Sequence, residues 1–312
     1  MNDCPSNATE SMLNSLVQQA GALYTLPRVA MQVLELTNHP NVDARQLKQC
    51  IENDPSLTVK ILKVVNSSLL GLSREVSDLN QALALLGIKP LKRLVLGFSL
   101  PEKLFTDLSA DLLEYYWQRT VTKAVAAREI AQTWQQRSGD EFFIAGLLQD
   151  LGVLVLLQQL GQPYVAFLRK SQELSAPLLE LERRTLGFDH AELSSRLLAH
   201  WCLPDELVAG VRVRATGGES PAAPVASPPG NSRRLSSDSI VQVLALAELV
   251  TEFLADNRAD LWSVIVAQAR ETCQVTAVEV KTMLEQLDEK IFLLAEVLSL
   301  RVPGVNSYQQ IV

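Results

Sequence analysis

Apolar residues recur along this chain at helical rather than strand spacing. Val29, Val33 and Leu36 fall at i, i+4 and i+7. Leu47, Cys50 and Ile51 make the next short face, and Asp43 before it is placed to accept a hydrogen bond from a free backbone N–H. After Asp54-Pro55, where the fixed φ of proline suits a first helical turn, Leu57, Ile61, Leu62 and Val65 continue the pattern. Leu79, Leu83 and Leu86 form a face that stops at Gly87, a C-cap residue type, and Leu91, Leu94, Val95 and Phe98 form another beyond Pro90. No run alternates with period two, so no sheet is predicted. From about residue 111 the helices lengthen, with one predicted over 112–134, a second over 141–159 and shorter ones to about 215. Asp189 followed by Glu192 reads as an acidic N-cap with a glutamate three residues on.

The periodicity lapses at residues 216–238, TGGESPAAPVASPPGNSRRLSSD, which hold four of the 14 prolines and almost no large apolar residue. Such a segment buries too little surface to offset its ordering entropy and is predicted to be a flexible linker. Helical spacing resumes at Val241 and runs to about Leu300. In the last helix Ala277, Val280, Leu284, Leu287, Ile291, Leu294 and Leu298 alternate steps of three and four. That stripe suits either a coiled-coil homodimer seam or a helix docked on its own domain. Met283, Leu293 and Val297 widen it beyond a strict seam, which favours docking.

Composition narrows the class. The chain has 312 residues, 47% hydrophobic and 20% charged, which describes a globular protein of about two domains. Its net charge of −7 argues against a nucleic-acid or anionic-membrane binder, although Lys89, Lys92 and Arg93 make a small basic cluster. The first ten residues are polar and acidic, with no basic and apolar leader. The richest apolar stretch, residues 145–157, is interrupted by Gln149 and Asp150, so no membrane span is expected. There are three histidines, His39, His190 and His200, and four dispersed cysteines with no C-x-x-C pair. That leaves little material for zinc or a disulfide framework and suits the reducing cytoplasm.

Among motifs, there is no G-x-S-x-G elbow, no phosphate-binding G-x-x-x-x-G-K and no G-x-G-x-x-G. What stands out is an ordered series. It runs Leu26-Pro27, Asp54-Pro55-Ser56-Leu57, Asn66-Ser67 with Gly71, Val76-Ser77 with Ala82, and Leu86-Gly87. FIAGLLQDLG from Phe143 to Gly152 follows, then Asp189-His190-Ala191-Glu192 and Trp201-Cys202-Leu203-Pro204. The series resembles the HDOD family, the HD-related output domains of bacterial signalling proteins, over roughly residues 22–215.

The resemblance implies an all-α fold in which an N-terminal bundle of short helices packs on a degenerate HD-like helical domain. The expected organisation is a tail and first helix (1–22), an N-terminal subdomain (23–105) and an HD-like subdomain (106–215). The linker (216–238), C-terminal helices completing that subdomain (239–300) and a tail (301–312) follow. The HD phosphohydrolases that this family is similar to hold divalent metal with a histidine, a His-Asp doublet and a later aspartate. Imidazole and carboxylate ligands there activate water for attack on phosphate. Mapped onto this chain, the first histidine falls at Arg119, the doublet at Gln149-Asp150 and the later aspartate at Glu248. A guanidinium cannot ligate a metal and a neutral amide does so poorly. The expectation is therefore a vestigial site with no bound metal, no cofactor and no catalytic residue, in which Arg119 pairs with Asp150.

Asn66 and Ser67 either set a turn or touch a ligand. His190 either caps or bonds between helices, or is a ligand or interface residue, as Asp150 could also be. His190 and His200 lie about 15 Å apart along one helix and cannot share a metal. The implied function is non-catalytic signal transduction through other signalling proteins or through a sensed small ligand such as a nucleotide. Residual metal-dependent phosphohydrolysis and nucleotide or nucleic-acid binding are the alternatives.

Overall fold

A computed structural model describes residues 7–37, 43–67, 70, 72, 74–137, 139–174, 176–212 and 237–300. His39, Gly71 of the motif series, residues 216–236 of the expected linker and the C-terminal tail lie outside them. Among the described residues the structure is all helical, with no strand.

The first part comprises α1 (Asn7–Leu23), α2 (Arg28–Thr37), α3 (Ala44–Glu52), α4 (Pro55–Val65), α5 (Leu79–Leu86) and α6 (Ile88–Phe98). Their boundaries follow local chemistry. The Asp43 carboxylate accepts from the Arg45 N–H at 2.8 Å, and that of Asp54 accepts from the Leu57 N–H at 2.9 Å, with Pro55 in the first turn. Gly87 ends α5 at φ 83°, a left-handed value that costs other residues steric strain. Helix α6 begins before Pro90, because a proline within the first turn loses no intrahelical hydrogen bond.

The second part comprises α7 (Ala110–Glu129), α8 (Asp140–Gln149), α9 (Leu151–Leu160), α10 (Gln162–Glu173), α11 (Leu178–Leu186), α12 (His190–His200) and α13 (Asp205–Val211). After residue 236 come α14 (Ser237–Ala255), α15 (Trp262–Cys273) and α16 (Ala277–Val297). Two long predicted helices are interrupted. Helix α7 passes into a π turn at Ile130–Trp134, and the 141–159 helix breaks at Asp150, whose ψ of 6° leaves the α region. Helix α14 opens at Ser237, inside the segment read as linker.

One continuous apolar core joins both parts, from Leu13 in α1 to Leu294 in α16. Helix α7 lies at its centre, with α8, α14 and α16 packed against it, while α1 lies on α9 and α12. The last helix carries a capping box in which Thr276 and Glu279 satisfy each other's backbone N–H groups. Its stripe of Val280, Met283, Leu284, Leu287, Ile291 and Leu294 is buried within this chain. Five of the positions read as a homodimer seam, Val280, Leu284, Leu287, Ile291 and Leu294, are therefore occupied intramolecularly, while Ala277 is exposed and Leu298 half-buried; the exposed large apolar residues of α16 are Val278 and Phe292. The run Asp140–Leu160 is long and apolar enough to cross a membrane by composition, which residues 145–157 alone did not suggest. It is the core of this bundle, 83% buried.

Candidate functional site: a buried charge relay

Two glycines bring the site together. A Cβ on Gly146 would stand 2.9 Å from the Cα of Ala124, so α8 approaches α7 at backbone contact. Asp150, one turn beyond Gly146, is thereby presented to α7. A Cβ on Gly152 would stand 2.2 Å from the carbonyl oxygen of His190, which sets α9 against the start of α12. Ser194 locks this second crossing, since its Oγ accepts from the Gly152 N–H at 2.7 Å and lies 2.6 Å from the Gln149 carbonyl.

On α7, Arg119 and Lys123 are four residues apart and share a face. Glu248 and Glu252 on α14, with Asp256 just past its end, repeat the same spacing opposite them. Arg119 pairs with Glu248 at 2.6 Å and with Asp256, and its guanidinium lies 5.8 Å from the ring centroid of Tyr115. Lys123, fully buried, places its ammonium against both Asp150 and Glu248. The chain of contacts continues through Asp150 to His190 Nε2 at 3.4 Å. From there His190 Nδ1 and the His190 backbone N–H reach Glu182 at 2.7 and 2.8 Å, and the Tyr164 hydroxyl donates to the same carboxylate. The Asp189 side chain caps α12 by accepting from the Glu192 N–H at 2.7 Å. Glu192 does not return the bond but pairs with Arg196 and Arg212.

Burial and the neighbouring charges together set the protonation states. Burial would lower the pKa of Lys123, but Asp150 and Glu248 outweigh it and hold the amine charged. It would likewise lower that of His190, but Glu182 and Asp150 carry the imidazole up to about 10, so it is a cation at neutral pH. Burial would raise Asp150 and Glu248, yet Lys123 first, then His190 for Asp150 and Arg119 for both, hold them below the usual carboxylate range. Glu252 is the exception. Burial first, then the Glu248 charge, push it up to about 7.

Arg119, Asp150 and Glu248 thus converge, as does His190. The pairing differs from the one read in the sequence. Asp150 is held by Lys123, one turn beyond Arg119, and Arg119 turns to the acids of α14. Gln149 adjoins the cluster, but its amide nitrogen donates to the Val211 carbonyl at 3.0 Å. Asn66 and Ser67 lie in the first part of the fold. Asn66 clamps the backbone N–H and C=O of Val76 at 2.7 and 2.8 Å, and the Ser67 hydroxyl bonds the Val64 carbonyl at 2.6 Å. Arg93 of the basic cluster pairs with Glu141. Lys123, Glu182, Glu252 and Asp256 join the site without having been marked by motif. Among the described residues, no three His, Cys, Asp or Glu side chains are grouped so as to hold a metal ion.

Comparison with known proteins places this fold. A structure from Shewanella amazonensis SB2B, provisionally named a phosphohydrolase, matches with TM-score 0.64 at 20% identity, over 91% of this chain and 98% of that one. One from Marinobacter aquaeolei VT8, provisionally named a signal transduction protein, matches with TM-score 0.62 at 20% identity, over 96% and 68%. At such identities the likeness is one of fold. An uncharacterized protein of Treponema pallidum (strain Nichols) is 22% identical over 205 residues, or 65% of this chain, and the match spans only 40% of that relative. The family model for the HDOD domain matches residues 23–216, well over half the chain, and the protein belongs to the HDOD domain family.

Proposed function

We propose that this protein is a non-catalytic regulatory module, acting in the cytoplasm through contacts with other signalling proteins or through a sensed small ligand. The observation that carries this reading is the Lys123 ammonium between Asp150 and Glu248. Those two carboxylates stand at the positions that resemble metal-ligating aspartates in HD phosphohydrolases. A divalent ion there would have to displace a buried ammonium, beside the Arg119 guanidinium, and like charges so close in a weakly screening interior repel strongly. The remaining donors do not compensate, since Gln149 offers only a neutral amide oxygen and His190 is held as a cation by Glu182. The residues present therefore do not fit a divalent metal, and we derive no hydrolytic step through one. The names carried by similar structures point both to phosphohydrolase and to signal transduction, and the chemistry of this chain supports the second.

The test is turnover. Purified protein given bis(p-nitrophenyl) phosphate or cyclic dinucleotides, with magnesium, manganese or ferrous ion, is expected to release no product above the buffer rate. Metal-dependent hydrolysis that disappears in Asp150→Ala would overturn the proposal.

A further inference from the structure

The buried carboxylates of this site are not all matched. Asp150 has Lys123, Glu248 has Lys123 and Arg119, Asp256 has Arg119, and Glu182 has His190. Glu252 has only one long contact of this kind. It is 5% exposed, and its Oε2 receives no hydrogen bond among the described residues. The Arg258 guanidinium stands 3.8 Å away and is itself held at 2.8 Å by both oxygens of Asp260. A buried acceptor left without a donor costs free energy that a ligand could recover.

Glu252 lines a cleft of about 280 Å³ between α7, the α10–α11 connection and the end of α14. Tyr115, Gln118 and Arg119 form one wall, Ala176 and Leu178 another, and Arg258 lies at the rim. The size is below the range of drug-sized pockets and suits a compact molecule. Because both arginines are already committed to carboxylates, the unmet demand is for positive charge and N–H donors. We propose that this cleft is a binding site for a small organic cation, an ammonium or guanidinium whose N–H groups are accepted by Glu252 while its carbon chain lies along Tyr115 and Leu178. This deepens the ligand-sensing side of the regulatory reading and supplies a means by which a metabolite could bias the packing of α14 on α7.

Calorimetric titration of the full chain with agmatine, putrescine and methylguanidine at mildly alkaline pH tests the site. At least one probe is expected to saturate at a single site. Its affinity should fall about tenfold per pH unit below pH ~7, where protons compete for Glu252 in the field of Glu248, Asp256, Arg119 and Arg258. Glu252→Gln, which keeps shape and removes charge, should lose binding at least tenfold. Ala176→Phe, which keeps the carboxylate and fills the space, should do the same with an unchanged melting profile. Absence of saturation by all three probes in the millimolar range, or undiminished binding to Glu252→Gln, would overturn the proposal. Preferential saturation by magnesium ion alone or by inorganic phosphate would also overturn it. Failure here would leave the non-catalytic reading standing, because that reading falls on metal binding or metal-dependent turnover, neither of which the amine titration measures.

Discussion

Replacing Lys123 by methionine is expected to destabilise the fold by about 3–5 kcal/mol, the cost of leaving buried charges without their partner. That is a large part of the 5–15 kcal/mol or so that holds a typical domain together. Methionine fills much the same volume, so the loss reports charge rather than a cavity. The pH dependence has a definite sign. The Lys123 pKa is raised in the fold, so its contribution is present below the unfolded-state value and is lost only as pH climbs through the folded one. The Asp150 and Glu248 pKa values are lowered, so theirs is present above the unfolded carboxylate value and is lost as pH falls through the folded one. Without Lys123 both carboxylates become easier to protonate, and the deficit against the wild type should shrink on going from pH 8 to pH 5. Urea unfolding followed by tryptophan fluorescence reads both effects. A variant within about 1 kcal/mol of wild type at pH 8 would show that the ammonium does not bridge these acids.

The second large effect belongs to Gly152→Ala. The new methyl group would meet the His190 carbonyl oxygen 2.2 Å away, and that oxygen is backbone, so a rotamer change cannot relieve it. Either α9 or α12 must shift, breaking the Ser194 lock and drawing His190 away from Asp150. Overpacking of this kind costs about 1–3 kcal/mol and more where backbone must move. A fall of roughly 2–5 °C in Tm is the expected result by calorimetry. A melt within about 1 °C of wild type would place the two helices further apart than described.

Much of the fold was legible because its signals are local. Asp43, Asp54 and Gly87 mark helix ends through groups a few residues away, and the apolar spacing of α3 to α6 marks which face is buried. The break at Asp150 was not legible, because the flanking leucines are apolar all round and the interruption depends on how α7 and α12 receive the aspartate. The site was half legible. Motif resemblance located Arg119, Asp150 and Glu248, but the partner of a buried acid is decided by helix placement. Gly146 brings α8 opposite Lys123 rather than Arg119, and sequence spacing along α7 cannot express that. Lys123 nevertheless had a signature, a lone charge in the run TVTKAVAA of small and β-branched residues, as did the acids at 248, 252 and 256 with their repeat of four. Read together, these two stripes would have paired α7 with α14. His190 became informative only through Glu182, which lies on another helix and belongs to no motif.

The proposal turns on a lysine bridging two carboxylates whose positions resemble the metal-ligating ones of HD phosphohydrolases, and manganese binding tests that directly. Purified protein equilibrated with manganese chloride and then desalted is expected to retain no stoichiometric metal by elemental analysis, and to leave the free-ion paramagnetic signal unchanged in a titration. One manganese ion held per chain, and lost in Asp150→Ala, would contradict it.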